Sequence, residues 1–198
     1  MGSLSFTAKP AVLRCSRCGK FVDWDEAQLQ VVCDCRPHLH LPPVLVREAN
    51  DGDRRPASEL FERDFGHRRI VAFGEVMELD TMPALVAEMR GELGGALAYR
   101  LLGESLHIVA LATDPMWQRS GVGGHLVAEA EALARRLSLR KVVVQTTNDN
   151  LPALYFYQRR GYRLTEAVAG SLARSGDPIK GFAGIPIRDE IRFERILD

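Results

Sequence analysis

The sequence predicts an α+β fold of the three-layer type, in which helices flank a mixed, mostly antiparallel central sheet behind a small cysteine-bearing N-terminal segment. Strand-like runs at 85–89, 95–101 and 105–112 are separated only by the turns Arg90-Gly91-Glu92 and Gly103-Glu104, the pattern of an antiparallel meander. The last run leads through Gln118-Arg119-Ser120-Gly121-Val122-Gly123-Gly124 into a stretch where Val122, Leu126, Val127, Ala130, Leu133, Ala134 and Leu137 recur at helical spacing. The apolar run 141–147 follows that helix, so strand, helix and strand form a crossover beside the meander.

The 198 residues suit one full domain with a small appendage, and 46% apolar residues suffice for a core. Lys and Arg number 26 against 26 Asp and Glu, so no overall field favours nucleic acid or an anionic membrane. No run approaches the roughly 18 apolar residues of a membrane span. The N-terminus lacks the charged and apolar regions of a signal peptide, and a cytoplasmic protein is expected.

The cysteines crowd near the N-terminus, as Cys15-Ser16-Arg17-Cys18-Gly19-Lys20 and Cys33-Asp34-Cys35. In a reducing compartment that crowding points to metal rather than to disulfides. A tight turn with Gly19 presents Cys15 and Cys18 to one ion, and Cys33 and Cys35, two apart on an extended segment, share a face; together they make a closed tetrahedral site for structural Zn2+. The Cys-x-Cys half departs from the usual pair and leaves room for His38 or His40 as a ligand, with free thiols or a redox pair as the other reading. A site with four protein ligands has no open position for water, so this zinc-ribbon-like segment (1–36) is expected to be structural or to dock a partner. Arg14, Arg17, Lys20 and Arg36 would suit nucleic acid, but Asp23, Asp25, Glu26 and Asp34 offset them. A proline-rich linker at 37–43 precedes the main domain at 44–198.

Within that domain 44–49 reads as a first strand, ended by Asn50-Asp51-Gly52-Asp53, and the helix that follows carries Leu60, Phe61 and Phe65 and stops at Gly66. The stretch 70–78, apolar with Gly74 inside, fits neither period clearly. Gly121, Gly123 and Gly124 at the start of a helix let the backbone approach a ligand while free N–H groups and the positive helix end point outward, as a phosphate turn requires. Neither the Walker A nor the dinucleotide spacing is met. After 141–147, Asn150 can cap a helix at 151–160, Pro152 sits in its first turn where no N–H is needed, and Gly161 supplies a left-handed stop.

The spacing Gln118-x-x-Gly121-x-Gly123 resembles the pyrophosphate loop of the GNAT superfamily of acetyl-CoA-dependent N-acetyltransferases. Asn150, Ala153, Phe156-Tyr157 and Gly161-Tyr162 are spaced as in that superfamily's helix beside the coenzyme thiol, and the order of elements from 44 onward is similar too. The resemblance implies an acyl-CoA-dependent N-acetyltransferase acting by direct attack of a primary amine. It places the pyrophosphate of acetyl-CoA on Gln118, Arg119, Ser120, Gly121, Val122, Gly123 and Gly124, and the pantetheine on backbone groups of Leu111, Ala112 and Thr113. It also implies a coenzyme contact from Asn150 and a proton for the departing thiolate from Tyr157.

A phenol suits that last role, because a pKa of ~10 keeps it protonated at pH 7 yet near that of the thiol. Tyr155 competes, but positions 155 and 157 differ by roughly 200° around a helix, so only one can face the coenzyme, and the spacing from Asn150 selects Tyr157. For the base, His107 stands eleven residues before Gln118, the offset at which some histone-acetylating members carry a glutamate. Strand parity groups it with Val109 and Leu111. Glu88, Glu104 or a chain of waters are the alternatives.

The segment 165–180, rich in small and turn residues, reads as a long loop before a final alternating strand. Ile185-Pro186-Ile187-Arg188-Asp189-Glu190 is similar to the close of an uncharacterised bacterial GNAT subgroup. The expected partner is a small-molecule or peptide amine, with no membrane and no nucleic acid, and with a monomer or homodimer both open. Two other readings are a non-catalytic acyl-CoA sensor and an adaptor docked through its zinc ribbon.

Overall fold

The computed structural model describes residues 43–118, 120–173 and 179–198 in full, and 13–14, 21–25 and 30–32 as backbone strands. The chain divides into two compact units, 1–41 and 42–198. In the first, β1 (Leu13–Arg14), β2 (Phe21–Asp25) and β3 (Gln30–Val32) form an antiparallel ribbon with β2 in the middle. Cys15, Cys18, Cys33 and Cys35, with His38 and His40, lie outside the described residues.

The second unit runs β4 (Leu45–Glu48), α1 (Arg54–Phe65), β5 (Arg69–Ala72), β6 (Glu75–Glu78), β7 (Ala84–Met89), β8 (Glu92–Leu102) and β9 (Ser105–Thr113), then α2 (Val122–Arg136), β10 (Lys141–Thr147), α3 (Leu151–Arg159), β11 (Arg163–Val168) and β12 (Glu190–Ile196). Its main sheet has the order β11-β12-β10-β9-β8-β7-β4 and is parallel only between β9 and β10. The meander closes between β7 and β8 on Arg90-Gly91, both at positive φ, the two-residue turn whose twist matches that of the strands.

The layers follow from which side chains each strand presents. On one face α2 and α3 pack Leu126, Val127 and Tyr157 against Leu97, Ile108, Val144 and Phe193. On the other, α1 sets Leu60 and Phe61 on Val86, Ala98, Val109 and Ala112. Burying one such large side chain contributes about 1.5–3 kcal/mol. Gly95 lets α2 settle on β8, since a Cβ there would stand 2.7 Å from Cγ1 of Val122.

Two segments differ from expectation. The ambiguous 70–78 is the hairpin β5–β6, whose two-residue tip Phe73-Gly74 holds φ of 55° and 76°. Residues 165–168 belong to β11, an edge strand exposed along most of its length and therefore without alternation; the loop begins only after it. A bulge in β9 also corrects the parity argument. Ala98 pairs with Ala110 and Tyr99 with Ile108, which leaves Val109 as the extra residue. Leu111 therefore faces α2, while Val109, Ala110 and Ala112 face α1. His107 lies on the α1 side with Val109 and away from Leu111, because the extra residue reverses the alternation between them. Among the described residues no helix is long and apolar enough to cross a membrane.

Candidate active site

β9 and β10 pair from Ser105–Lys141 to Ile108–Val144 and then separate, β9 continuing beside β8 to Thr113 and β10 beside β12 to Thr147. A cavity of about 560 Å3 occupies the gap. The bulge at Val109 starts at the same level and turns the outgoing strand.

One end of the cavity is the glycine turn. Gly121, with φ of 97°, caps α2 in a conformation that a side chain disfavours, and the helix's own bonding begins with the His125 N–H donated to the Gly121 carbonyl at 3.0 Å. The amides of Val122, Gly123 and Gly124 thus open the helix without intrahelical partners. Gln118, Gly121, Val122, Gly123 and Gly124 all line the cavity. The Arg160 guanidinium lies over the Phe156 ring at 4.9 Å and presses on Gly124, where a Cβ would stand 1.9 Å from Nη2. Ser120 donates its hydroxyl to the Trp117 carbonyl and does not line the cavity, and Arg119 lies outside the described residues.

α3 supplies the opposite wall. Asn150 caps it by accepting the Ala153 N–H at 3.2 Å, and Asn150, Phe156 and Tyr157 face the cavity. Tyr157 is 4% exposed, whereas Tyr155 is 58% exposed and accepts from Arg159 at 2.7 Å, so a single tyrosine of the pair points inward. Burial raises the Tyr157 pKa well above the ordinary phenol value. Leu111 and Thr113 line the cavity; the side chain of Ala112 is buried toward α1 instead.

His107 is not among the cavity-lining residues. Its ring lies 4.7 Å from that of Phe73, and its Nδ1 is buried without a hydrogen-bond partner. Burial, with Arg100, Lys141 and Arg192 adding to it against Glu194, lowers its pKa to about 4. Glu88 pairs with Arg47 and Glu104 with Arg140, both away from the cavity. Sequence reasoning passed over Gln145, which lines the cavity and accepts the Phe73 N–H through Oε1. Its position just after the last β9–β10 pair was the available signal.

The closing motif at 185–190 clamps the end of β10. Asn148 donates to the Pro186 carbonyl at 3.0 Å and accepts from the amides of Arg188 and Asp189, while buried Asp149 accepts the Phe182 N–H at 2.8 Å. Glu190, 1% exposed, pairs with Arg192. Among the described residues no cluster of His, Cys, Asp and Glu is arranged to hold a metal.

A model of the acetyltransferase (GNAT) family matches residues 46–162, more than half of the chain, and the chain belongs to that family. It is 26% identical over 161 residues to the uncharacterized protein YdhI of Bacillus subtilis, covering 78% of this chain and 99% of that one. It is 33% identical over 94 residues to blasticidin-S acetyltransferase of Streptomyces morookaense, covering 48% of this chain and 68% of that one. A Bacillus subtilis acetyltransferase solved in complex with CoA superposes with a TM-score of 0.57 at 20% identity, over 80% of this chain and 99% of that chain, a likeness of fold.

Proposed function

We propose that the chain transfers an acetyl group from acetyl-CoA to a primary amine of a small molecule or peptide by direct attack. The observation that carries this reading is the meeting of the parted strands, the open first turn of α2 and Tyr157 at one cavity. The pyrophosphate would lie on the amides of Val122, Gly123 and Gly124 at the positive end of the helix, with Gln118, Arg119, Ser120 and Gly121 completing the turn. The pantetheine would run along Leu111, Ala112 and Thr113, where the β9 edge has lost its β10 partner, with Asn150 on the other side. The amine nitrogen bonds to the thioester carbonyl carbon, the carbon–sulfur bond breaks, and the thiolate takes the Tyr157 phenol proton. Burial keeps that phenol protonated at neutral pH, and the same dry surroundings increase the thiolate's demand for a proton.

The amine proton passes through water to His107. With its pKa lowered to about 4 the imidazole is uncharged at pH 7 and a weak base. A weak base suffices, because a nitrogen that is forming a bond to carbon holds its proton far less tightly than a free ammonium. The test is amine-dependent release of free thiol from acetyl-CoA across an amine panel. Saturable CoA binding with no transfer to any amine would overturn the reading and leave a coenzyme-binding sensor.

The N-terminal unit is proposed to hold structural zinc on Cys15, Cys18, Cys33 and Cys35. Arg14 and Val32, each next in sequence to a cysteine, pair with Phe21 and Asp23 near one end of β2, so both cysteine pairs follow strands that leave the same end of the ribbon. Elemental analysis of the full chain is expected to give one zinc per chain, lost in Cys15→Ser.

A further inference from the structure

We propose that the acceptor amine carries a carboxylate, and that Arg100 binds it through the Nε edge of its guanidinium, in the place held by the Phe73 ring. The inference rests on the transferase reading and names the class of acceptor.

Arg100 and His107 stand opposite each other in the β8–β9 ladder, one residue before the last β9–β10 pair. The Phe73 ring covers both, 4.7 Å from the His107 ring and 5.2 Å from Cζ of Arg100. Arg100 donates Nη1 to Glu75 at 2.9 Å, an ion pair whose carboxylate side chain is 63% exposed. Its Nε is buried without a hydrogen-bond partner, as is the neighbouring Nδ1 of His107. Cζ of Arg100 lies over the Phe73 ring, which offers Nε no acceptor. A buried unpaired donor on a charged group is costly and calls for a ligand or a reason.

The chemistry of that ligand follows from the free edge. Nε–H and Nη2–H form the fork that matches the two oxygens of a carboxylate, and Nη1 is already committed to Glu75. Lys141 and Arg192 also stand around His107, but each is paired, Lys141 with Glu194 at 2.8 Å and Arg192 with Glu166 and Glu190, so the free Nε edge of Arg100 rather than the surrounding charge sets the chemistry. Amino acids and short peptides with a free carboxylate fit that edge.

Nε is closed to solvent, so the Phe73 ring has to turn aside. The tip is the part of the hairpin suited to do so, because Phe73 holds a φ of 55°, where a phenylalanine is strained. Its N–H is latched by Gln145, which also lines the cavity, so a molecule entering there meets the latch.

The experiment measures CoA affinity first, then binding and acetylation of amino acids and dipeptides alongside their C-terminal amides. The wild type is expected to favour the acids by roughly 100-fold in kcat/KM, the discrimination of a lost charged hydrogen-bond pair. Arg100→Gln should erase the preference and Arg100→Lys should weaken it, both with CoA affinity unchanged; Phe73→Ala should keep it. Equal use of acids and amides by the wild type, or equal losses for both in Arg100→Gln, would overturn the proposal. Acids binding to the CoA-loaded protein in preference to amides, without turnover, would keep the carboxylate site and sink the transferase reading. Neither acids nor amides binding would sink the carboxylate site.

Discussion

The two faces of the sheet, compared where β9 and β10 part, are built on different principles. Toward α2 and α3 the cavity is walled by Val122, Phe156, Tyr157 and main-chain groups of the glycine turn. Toward the hairpin the sheet presents Arg100, His107 and Arg192 beneath one phenylalanine, with two buried nitrogens, Nε of Arg100 and Nδ1 of His107, unpaired. Backbone amides and apolar walls suit a donor that is the same molecule in every turnover, whereas charged side chains with open valences suit a variable partner. The bulge at Val109 is the hinge between them, because it moves the strand's side chains from one face to the other within two residues.

The largest effect that bears on this division is expected from Tyr157→Phe. Removing the phenol proton should lower kcat by about 10²- to 10⁴-fold, the usual contribution of a positioned general acid. CoA affinity should hold, since the ring and its packing against Tyr162 at 5.5 Å and Phe193 at 6.3 Å remain. Steady-state kinetics and CoA titration on the same preparation make the check; full turnover in the variant would remove Tyr157 from the mechanism.

Gly95→Ala probes the donor face without touching a reacting group. A Cβ there would stand 2.7 Å from Val122, 3.0 Å from the Ala112 carbonyl and 3.1 Å from Leu126, so α2 must shift away from β8. A loss of about 1–3 kcal/mol is expected from such overpacking. CoA affinity should fall as the glycine turn moves with the helix, which calorimetric unfolding and CoA titration would show together.

His107 gives the opposite face a pH signature. Its pKa is lowered to about 4 in the fold against an ordinary 6.5. Above pH 6.5 the imidazole is neutral in both states and its contribution is in full. Between 6.5 and 4 the unfolded chain binds the extra proton, so stability rises with pH across that window and is lost as pH falls toward 4. His107→Gln should flatten stability over this window in denaturant titrations. If His107 accepts the amine proton, kcat/KM expressed per neutral amine has its acid limb near pH 4 in the wild type; a limb at 6.5 that survives the substitution would assign the base elsewhere.

The donor face was largely legible from sequence, and the other was not, for reasons that follow from how each is made. Glycines at a helix start and Asn150 with Tyr157 on one helix are local patterns, set by caps and by helical spacing. The cluster of Arg100, His107, Arg192 and Phe73 joins three separate strands and a hairpin tip, and nothing local marks it. The parity expected for His107 failed at Val109 because a bulge is a property of a strand pair and leaves no mark on one strand's alternation. The edge strand β11 was read as loop because only one neighbour orders it and its side chains face water.

Gln145 belongs to both faces, and the smallest expected effect decides most finely between them. Its residue lines the cavity, while its side chain accepts from Phe73 and reaches the Val71 carbonyl at 3.4 Å. Gln145→Met keeps the length and removes both polar contacts, at a cost of about 0.5–1.5 kcal/mol for one net hydrogen bond. Hydrogen exchange at 69–78 should speed up while CoA affinity stays constant. If the hairpin tip has to yield to the acceptor, releasing its latch should lower KM for a carboxylate-bearing amine by the same free energy, because the wild type spends that amount opening the site. A weakened CoA affinity with unchanged exchange in the hairpin would instead assign Gln145 to the donor, and the boundary between the two faces would have to move from the bulge to β10.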